Sequence, residues 1–475
     1  MDAVKVCLKP ARLAQSIATG LVLLFGTQAS AESLQSVVAE ALDSNPEVRF
    51  EAEALNVLQA EKRKERGGYL PSVDLDVSVG QARRDFDKRG SYDRNYAELS
   101  ITQMLFDGFK VQGRVDEAEH QMREQYYRLR GEAEDKTLEV AQAYLDVKRY
   151  RYLAGLAQAN VDNHVRVRKQ VHERTERGVG NRADLYQAEG RLALARSNLR
   201  TELSNLQSVT ARFQRLVGRA PGESLQAVPE LDAGMPTALE PVLNSAFANN
   251  PSIHAAFANI DAARSALTVA ESTNYPTLEL GLSHGMYQNN NGFDNRTDPD
   301  SYGDESLVEL RMRYNIFNGG SDRATQRAAH HRIGQAESMR DKACVDLRQT
   351  ATIAWAEQGN LKQKLTLLQQ HKESSSNVVE AYRQQYDIGR RSLLDVLDSE
   401  NEAFQAERSY VQGQYDLMLT RLQVLNSMGS LLDTLDMAPA MADITDIVPE
   451  GQDAQDLPVQ YCAAVSDALV QLDVR

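Results

Sequence analysis

The chain has 475 residues, with 67 acidic side chains against 53 basic ones, a formal net charge of −14 and one tryptophan, Trp355. This acidic balance supplies no global positive field to recruit nucleic acid. A composition 25% charged and only 6% aromatic favours long, solvated helices over a compact enzyme.

Residues 1–31 read as an export signal peptide. Lys5, Lys9 and Arg12 make the positive start, Ile17 to Phe25 the apolar stretch, and Ala29-Ser30-Ala31 the small-x-small cleavage pattern. About nine apolar residues are too few to cross a hydrocarbon layer of ~30 Å. Cleavage removes three positive charges and one negative (Asp2), taking −14 to −16. No later run of 18 apolar residues exists, which excludes a purely helical membrane protein. No cysteine stands at the cleavage point to carry a lipid anchor. Cys7 leaves with the signal, and Cys344 and Cys462 remain in an oxidising compartment. They are a candidate disulfide, with two unpaired thiols as the alternative.

The rest of the chain is duplicated. Asn45-Pro46 recurs as Asn250-Pro251, and Pro71 as Pro276, both at an offset of 205. Leu105-Phe-Asp-Gly108 matches Ile316-Phe-Asn-Gly319, and Gly178 with Asp184 matches Gly389 with Asp395, both at 211. The offset changes once, by six residues, between the two strand-like segments of each half. Two copies, the second with a longer strand-connecting loop, account for this.

Each copy has the same order of elements. A first helix begins near Ser33, is punctuated at Asn45-Pro46 and stops at Gly67-Gly68; its counterpart runs from about Thr237 to Ser272. Two alternating segments follow. Val73, Leu75, Val77 and Val79 alternate with Asp74, Asp76, Ser78 and Gly80, and Leu99, Ile101 and Leu105 with Glu98, Ser100 and Thr102. In the second copy Leu278, Leu280 and Leu282 alternate with Thr277, Glu279 and Gly281, and Val308 to Ile316 alternate with Glu309, Arg311, Arg313 and Asn315. Period-two alternation predicts strands with one apolar face. Each segment is close to the ~9–11 residues of a tilted membrane strand, and its other face is charged. Polar loops, Arg83 to Arg94 and Asn289 to Asp304, separate the members of each pair. Tyr69, Phe106, Tyr275 and Phe317 mark the strand ends, where an aromatic girdle would lie.

Four strands cannot close a barrel, for which about eight is the small limit. An open edge in lipid leaves backbone groups unpaired. Several chains must therefore pool their strands; the pattern leaves eight, twelve or sixteen open.

Long helical stretches complete each copy: Asp107 to Gly178 and Asn318 to Gly389 contain no proline. Returning helices carry strict heptads, Leu185, Leu192, Leu199, Leu206 and Phe213 in one, and Leu397, Phe404, Val411, Met418, Leu425 and Leu432 in the other. Such heptads predict coiled-coil packing between antiparallel neighbours. The resulting division is a first repeat at 32–217, a Pro-containing linker at 218–236, a second repeat at 237–433 and an acidic tail at 434–475.

Enzyme chemistry finds no footing. G-x-x-x-x-G-K-[ST], H-E-x-x-H and G-x-S-x-G are all absent. His330 and His331 are adjacent, about 100° apart on a helix, which suits shared metal ligation poorly. No metal site or cofactor is expected. A secreted coiled-coil scaffold would explain the heptads but not the two-faced strands.

The duplicated layout over residues 33 to 432 resembles the TolC family of outer-membrane efflux and secretion channels, most specifically at Tyr386-Asp-Ile-Gly-Arg-Arg-Ser-Leu-Leu-Asp-Val-Leu-Asp398. The resemblance implies an α+β membrane protein of the Gram-negative outer membrane. Three protomers would form a twelve-stranded barrel continued into the periplasm by a helical coiled-coil barrel. It implies an aperture ring at Asp395 and Asp398, able to attract cations, and a gate latch of Tyr386 and Arg391 with Asp184 of the first copy. Ala183 stands where a hydroxyl is common in that family, so this latch would have one acceptor fewer. Arg177, Gly178 and Val179, with Ile388, Gly389 and Arg390, would be the tips that meet a periplasmic adaptor and, through it, an inner-membrane ABC transporter.

Arg66-Gly-Gly-Tyr-Leu-Pro-Ser-Val and Thr102-Gln-Met-Leu-Phe-Asp-Gly-Phe are similar to the type I secretion branch, which exports large adhesins or repeat toxins. A multidrug or metal pump component is the alternative. Only the second tip carries both aspartates and the arginine; Gln187 answers Asp398 and Gly180 answers Arg391. The second copy is thus expected to move on opening and the first to hold the latch.

Overall fold

A computed structural model of the chain describes residues 31–85, 90–178, 180–228, 231, 235–291, 302–445, 447 and 458–465. The expected signal up to Ser30, the extra residues of the second strand-connecting loop, and much of the acidic tail lie outside these.

The repeated Asn-Pro dipeptides are helix restarts. Helix α1 (Leu34–Ser44) stops at Asn45, whose side chain accepts from Glu47 N at 2.9 Å to cap α2 (Pro46–Arg66). Pro46 occupies the first turn, where an N–H would have no helical partner. In the second copy Asn250 does the same between α5 (Leu239–Asn249) and α6 (Pro251–Glu271), accepting from Ser252 N at 3.0 Å.

After α2 come β1 (Ser72–Ser78), a short pair β2 (Gln81–Arg84) and β3 (Gly90–Asp93), and β4 (Asn95–Phe106); after α6 come β5 (Thr277–Gln288) and β6 (Gly303–Arg313). The long strands form one antiparallel sheet in the order β1-β4-β5-β6, so the central pairing joins the two copies. Register aligns Val73, Ile101, Leu282 and Val308 in one row across all four strands. The next row, on the opposite face, is Asp74, Ser100, Ser283 and Leu307. Val73, Leu75, Val77, Val308, Leu310 and Met312 are all more than 60% exposed, so nothing among the described residues covers these apolar side chains. On the charged face the Tyr287 hydroxyl donates to Glu98 at 3.0 Å, and its ring lies where a side chain on Gly285 would be.

Two expectations are corrected. The segment Arg83 to Arg94, read as a loop, carries the β2–β3 pair; four residues per strand, mostly polar, are too short to show an alternation. Strand β6 ends at Arg313 although the alternation continues to Ile316. It is an edge strand, and beyond Thr277, opposite Arg313, β5 offers it no further partner. Its counterpart β4 lies between two neighbours and runs on to Phe106.

Strands give way to helices at Phe-Asp-Gly. Gly108 has φ +71°, and a Cβ there would lie 2.6 Å from Ser272 O. Asp107 accepts from Lys110 N at 3.0 Å and Val111 N at 2.7 Å, capping α3 (Lys110–Glu176). Phe106, Phe109 and Tyr275 meet edge to face around this junction. Helix α3 and its counterpart α7 (Ser321–Asp387) have 67 residues each, about 100 Å at 1.5 Å per residue. They return as α4 (Arg182–Val217) and α8 (Leu393–Ser427), with Leu192 and Phe213, and Leu397, Phe404, Val411 and Leu425, buried along the seams. Short helices α9 (Leu431–Thr434) and α10 (Ala438–Ile444) follow.

The largest core gathers α1, α2, α3, α4, α8 and α9 around Leu34, Leu129, Phe213 and Leu422. The linker is pinned to it: Glu32 N donates to Ser224 O at 3.0 Å, and Gln226 N to Glu32 O at 2.8 Å. Buried Tyr144 places its hydroxyl 2.7 Å from Glu32 O and 2.9 Å from Gln226 O.

Glu134 of α3, almost fully buried, caps α9 by accepting from Leu431 N at 3.2 Å. Burial pushes its carboxyl up to about 8, against a weaker opposing pull from those backbone N–H groups. The folded chain therefore binds a proton that the unfolded chain releases above about 4.5. Stability from this group is full below that pH and is lost as pH rises towards 8. Thermal midpoints in detergent should fall between pH 5 and 8 in the wild type and fall less in Glu134→Gln; equal slopes would refute this.

Candidate aperture and docking tips

Both helical hairpins turn on glycine. Gly178 has φ +75° and Gly389 φ +73°, the left-handed conformation that ends a helix cheaply only without a Cβ. At the second tip Gly389 N donates to Tyr386 O at 2.9 Å, and Arg390 N to Gln385 O at 2.8 Å. Arg177, Gly178, Ile388, Gly389 and Arg390 are all exposed, while Val179 lies outside the described residues. Asn181 restarts the first hairpin, accepting from Ala183 N at 3.0 Å, which leaves Asp184 in the first turn of α4.

The second tip restarts with a reciprocal cap. Asp395 N donates to Ser392 Oγ at 3.2 Å, and Ser392 N to the Asp395 carboxylate at 3.4 Å. Arg391 lies 3.7 Å from the same carboxylate, donates to Gln385 Oε1 at 2.9 Å and rests 4.1 Å over the Tyr382 ring. Asp395 is thus partly occupied locally. Asp398, one turn on, is ion-paired with Arg191 of α4.

The expected latch is not the arrangement found within the protomer. Among the described residues neither Tyr386 nor Arg391 bonds to Asp184. Instead Arg174, near the end of α3, donates to the Tyr386 hydroxyl at 2.8 Å and lies 5.2 Å from its ring centre. First-copy arginines, Arg174 and Arg191, therefore hold the second-copy tip. The physical reason is competition: Arg391 is held locally by Gln385, the Asp395 carboxylate and the Tyr382 ring, and the Tyr386 hydroxyl is taken by Arg174. The duplication gives no signal for Arg174: the residue answering Tyr386 at offset 211 is Thr175.

Beneath these polar contacts, Val171, Leu393 and Leu397 are buried together, with Leu185 and Tyr386 against them, so all four long helices meet at the tip. Further in, buried Glu400 of α8 accepts from Asn163 of α3 at 2.7 Å and from Arg383 of α7 at 2.6 Å. Buried Glu202 of α4 pairs with Arg408 of α8 at 2.6 Å. Removing one partner of such a buried pair leaves an uncompensated charge, so these contacts hold the second hairpin against the first.

No helix among the described residues is long and apolar enough to cross a membrane, and no group of three or more metal-ligating side chains occurs among them. Cys344 and Cys462, a candidate pair in the sequence, are disulfide-bonded with Cα atoms 5.1 Å apart.

Residues 37–219 and 242–430 match the protein family described as outer membrane efflux protein. The chain is 22% identical over 414 residues to the outer membrane efflux protein BepC of Brucella suis, covering 86% of this chain and 88% of that one. It is 25% identical over 371 residues to the alkaline protease secretion protein AprF of Pseudomonas aeruginosa, covering 76% and 75%. Its fold matches the crystal structure of the Campylobacter jejuni CmeC outer membrane channel with TM-score 0.75 and 15% identity, covering 87% of this chain and 90% of that one.

Proposed function

Because the chain belongs to the outer membrane efflux protein family, whose members are channels rather than enzymes, we propose that three copies of it build a continuous exit duct. The duct would receive cargo from an inner-membrane ABC transporter through a periplasmic adaptor. The carrying observation is the four-stranded sheet. Among the described residues, one face is apolar and uncovered, the other is charged, and both edge strands lack an outer partner. Three such sheets give twelve strands, enough to close a barrel around a water-filled lumen.

The repeats at 32–217 and 237–433 form its wall, joined by the linker at 218–236, whose Ser224 and Gln226 bond to Glu32 of the first copy. Three copies would bring Asp395 and Asp398 around one axis, where such carboxylates select cations. The tips at Arg177 to Val179 and Ile388 to Arg390, of which Arg177, Gly178, Ile388, Gly389 and Arg390 are exposed, are the surfaces offered to the adaptor.

For cargo, a large secreted adhesin or repeat protein is the reading favoured by the likeness to AprF, a protease secretion protein. A drug or metal efflux channel is the alternative; the likeness to BepC, an outer membrane efflux protein, supports efflux without naming its cargo. Deleting the gene separates them. Loss of a surface adhesin with unchanged drug and metal tolerance is expected; sensitisation with normal adhesin display would overturn the secretion reading.

A further inference from the structure

We propose that Cys344 and Cys462 are a maturation site, oxidised by an exported protein disulfide, that locks the C-terminal segment across the two repeats. The reading goes beyond channel function and stands on different residues. The start of the tail belongs to the first-copy core: Met437 and Ile447 are buried there, with Met441 and Ile444 packed against it. Fifteen residues beyond Ile447, Cys462 is buried in a separate second-copy core with Phe247 and Ile253 of α5 and α6 and Cys344 and Leu347 of α7. The tail thus links one core to the other, and its far end is fastened covalently.

The seat around the bond is built. The Arg340 guanidinium lies 3.6 Å from the centre of the Tyr461 ring and 5.7 Å from that of Phe257. The Tyr461 hydroxyl donates to Asp341 at 2.9 Å. Residues 458–465 are helical, placing Val459, Tyr461 and Cys462 against α6 and α7.

Both cysteines are 0% exposed. No oxidant protein can reach either sulfur once the tail is seated, so oxidation must precede or accompany docking. One thiolate attacks the oxidant's disulfide to form a mixed disulfide. The other displaces it, making the Cys344–Cys462 bond. Two electrons and two protons pass to the oxidant, which leaves as a dithiol. The same burial then shuts out soluble reductants, so the lock does not reverse in the folded channel.

The test uses the detergent-extracted full-length oligomer and needs no transport assay, so its outcome is independent of the channel reading. Wild-type protein should show no maleimide-reactive thiol after native phosphine treatment and two after denaturation with phosphine. Hydrogen exchange of residues 458–465 should accelerate at least tenfold in Cys462→Ser and equally in Cys344→Ser. Arg340→Ala, which weakens the seat but keeps the bond, should raise it far less. Reactive thiols in untreated protein, or equal exchange in wild type and both serine variants, would overturn the proposal.

Discussion

Replacing Leu282 by arginine is expected to keep the chain out of the outer membrane, whereas arginine at the neighbouring Ser283 is expected to leave insertion intact. Adjacent strand residues point to opposite faces. Leu282 lies in the apolar row with Val73, Ile101 and Val308, and Ser283 in the row with Asp74 and Ser100. An arginine facing lipid near the midplane costs about 2–4 kcal/mol. Three copies per barrel make that roughly 6–12 kcal/mol, comparable to the whole stability of a typical domain. The outer-membrane fraction and the heat-resistant oligomer band are the readouts. Equal yields from the two variants would show that the sheet does not face lipid as assigned.

The second large effect concerns the tip. Arg191→Ala and Asp398→Asn break the same ion pair between α4 and α8, so both are expected to raise spontaneous conductance in planar bilayers. An exposed pair is worth up to about 1 kcal/mol, so three copies hold about 3 kcal/mol, on the order of a 100-fold change in the open-to-closed ratio. Adding Arg174→Ala, which releases the Tyr386 hydroxyl, should open the channel further. The two variants should differ in selectivity. If Asp398 lines the proposed aperture, Arg191→Ala frees its carboxylate and should strengthen cation preference, while Asp398→Asn removes it and should weaken that preference. If both shift selectivity the same way, Asp398 does not line the path.

The architecture was legible because its signals are local and repeated. Alternation at Val73 to Val79 and Val308 to Met312 marked the strands, and the heptads from Leu397 to Leu425 marked a seam that is buried. The Asn-Pro pairs and the tip glycines announced their own turns, since each needs a particular backbone or cap. What escaped was tertiary. Arg174 and Arg191 meet partners 212 and 207 residues away, and nothing around either arginine distinguishes it from other solvated helix charges. Glu134 carries no local mark of burial, because α9, which closes over it, lies 297 residues further along. The pair β2–β3 was missed because four residues cannot declare a period.

Strand lengths bear on how the assembled barrel comes apart. Within one copy, β4 and β5 are matched over eleven positions, as are β5 and β6, but β1 offers only seven residues. Where the eleven-residue β6 of one copy meets the β1 of the next, the ladder can zip over seven positions at most, leaving an overhang of four. Each seam between copies is thus no longer than the seven-position β1–β4 ladder and, unlike that ladder, has no connecting chain to hold its two strands together. On heating in detergent, the ring should unfasten at its three seams and release sheets still folded, so subunit separation should precede the loss of strand structure.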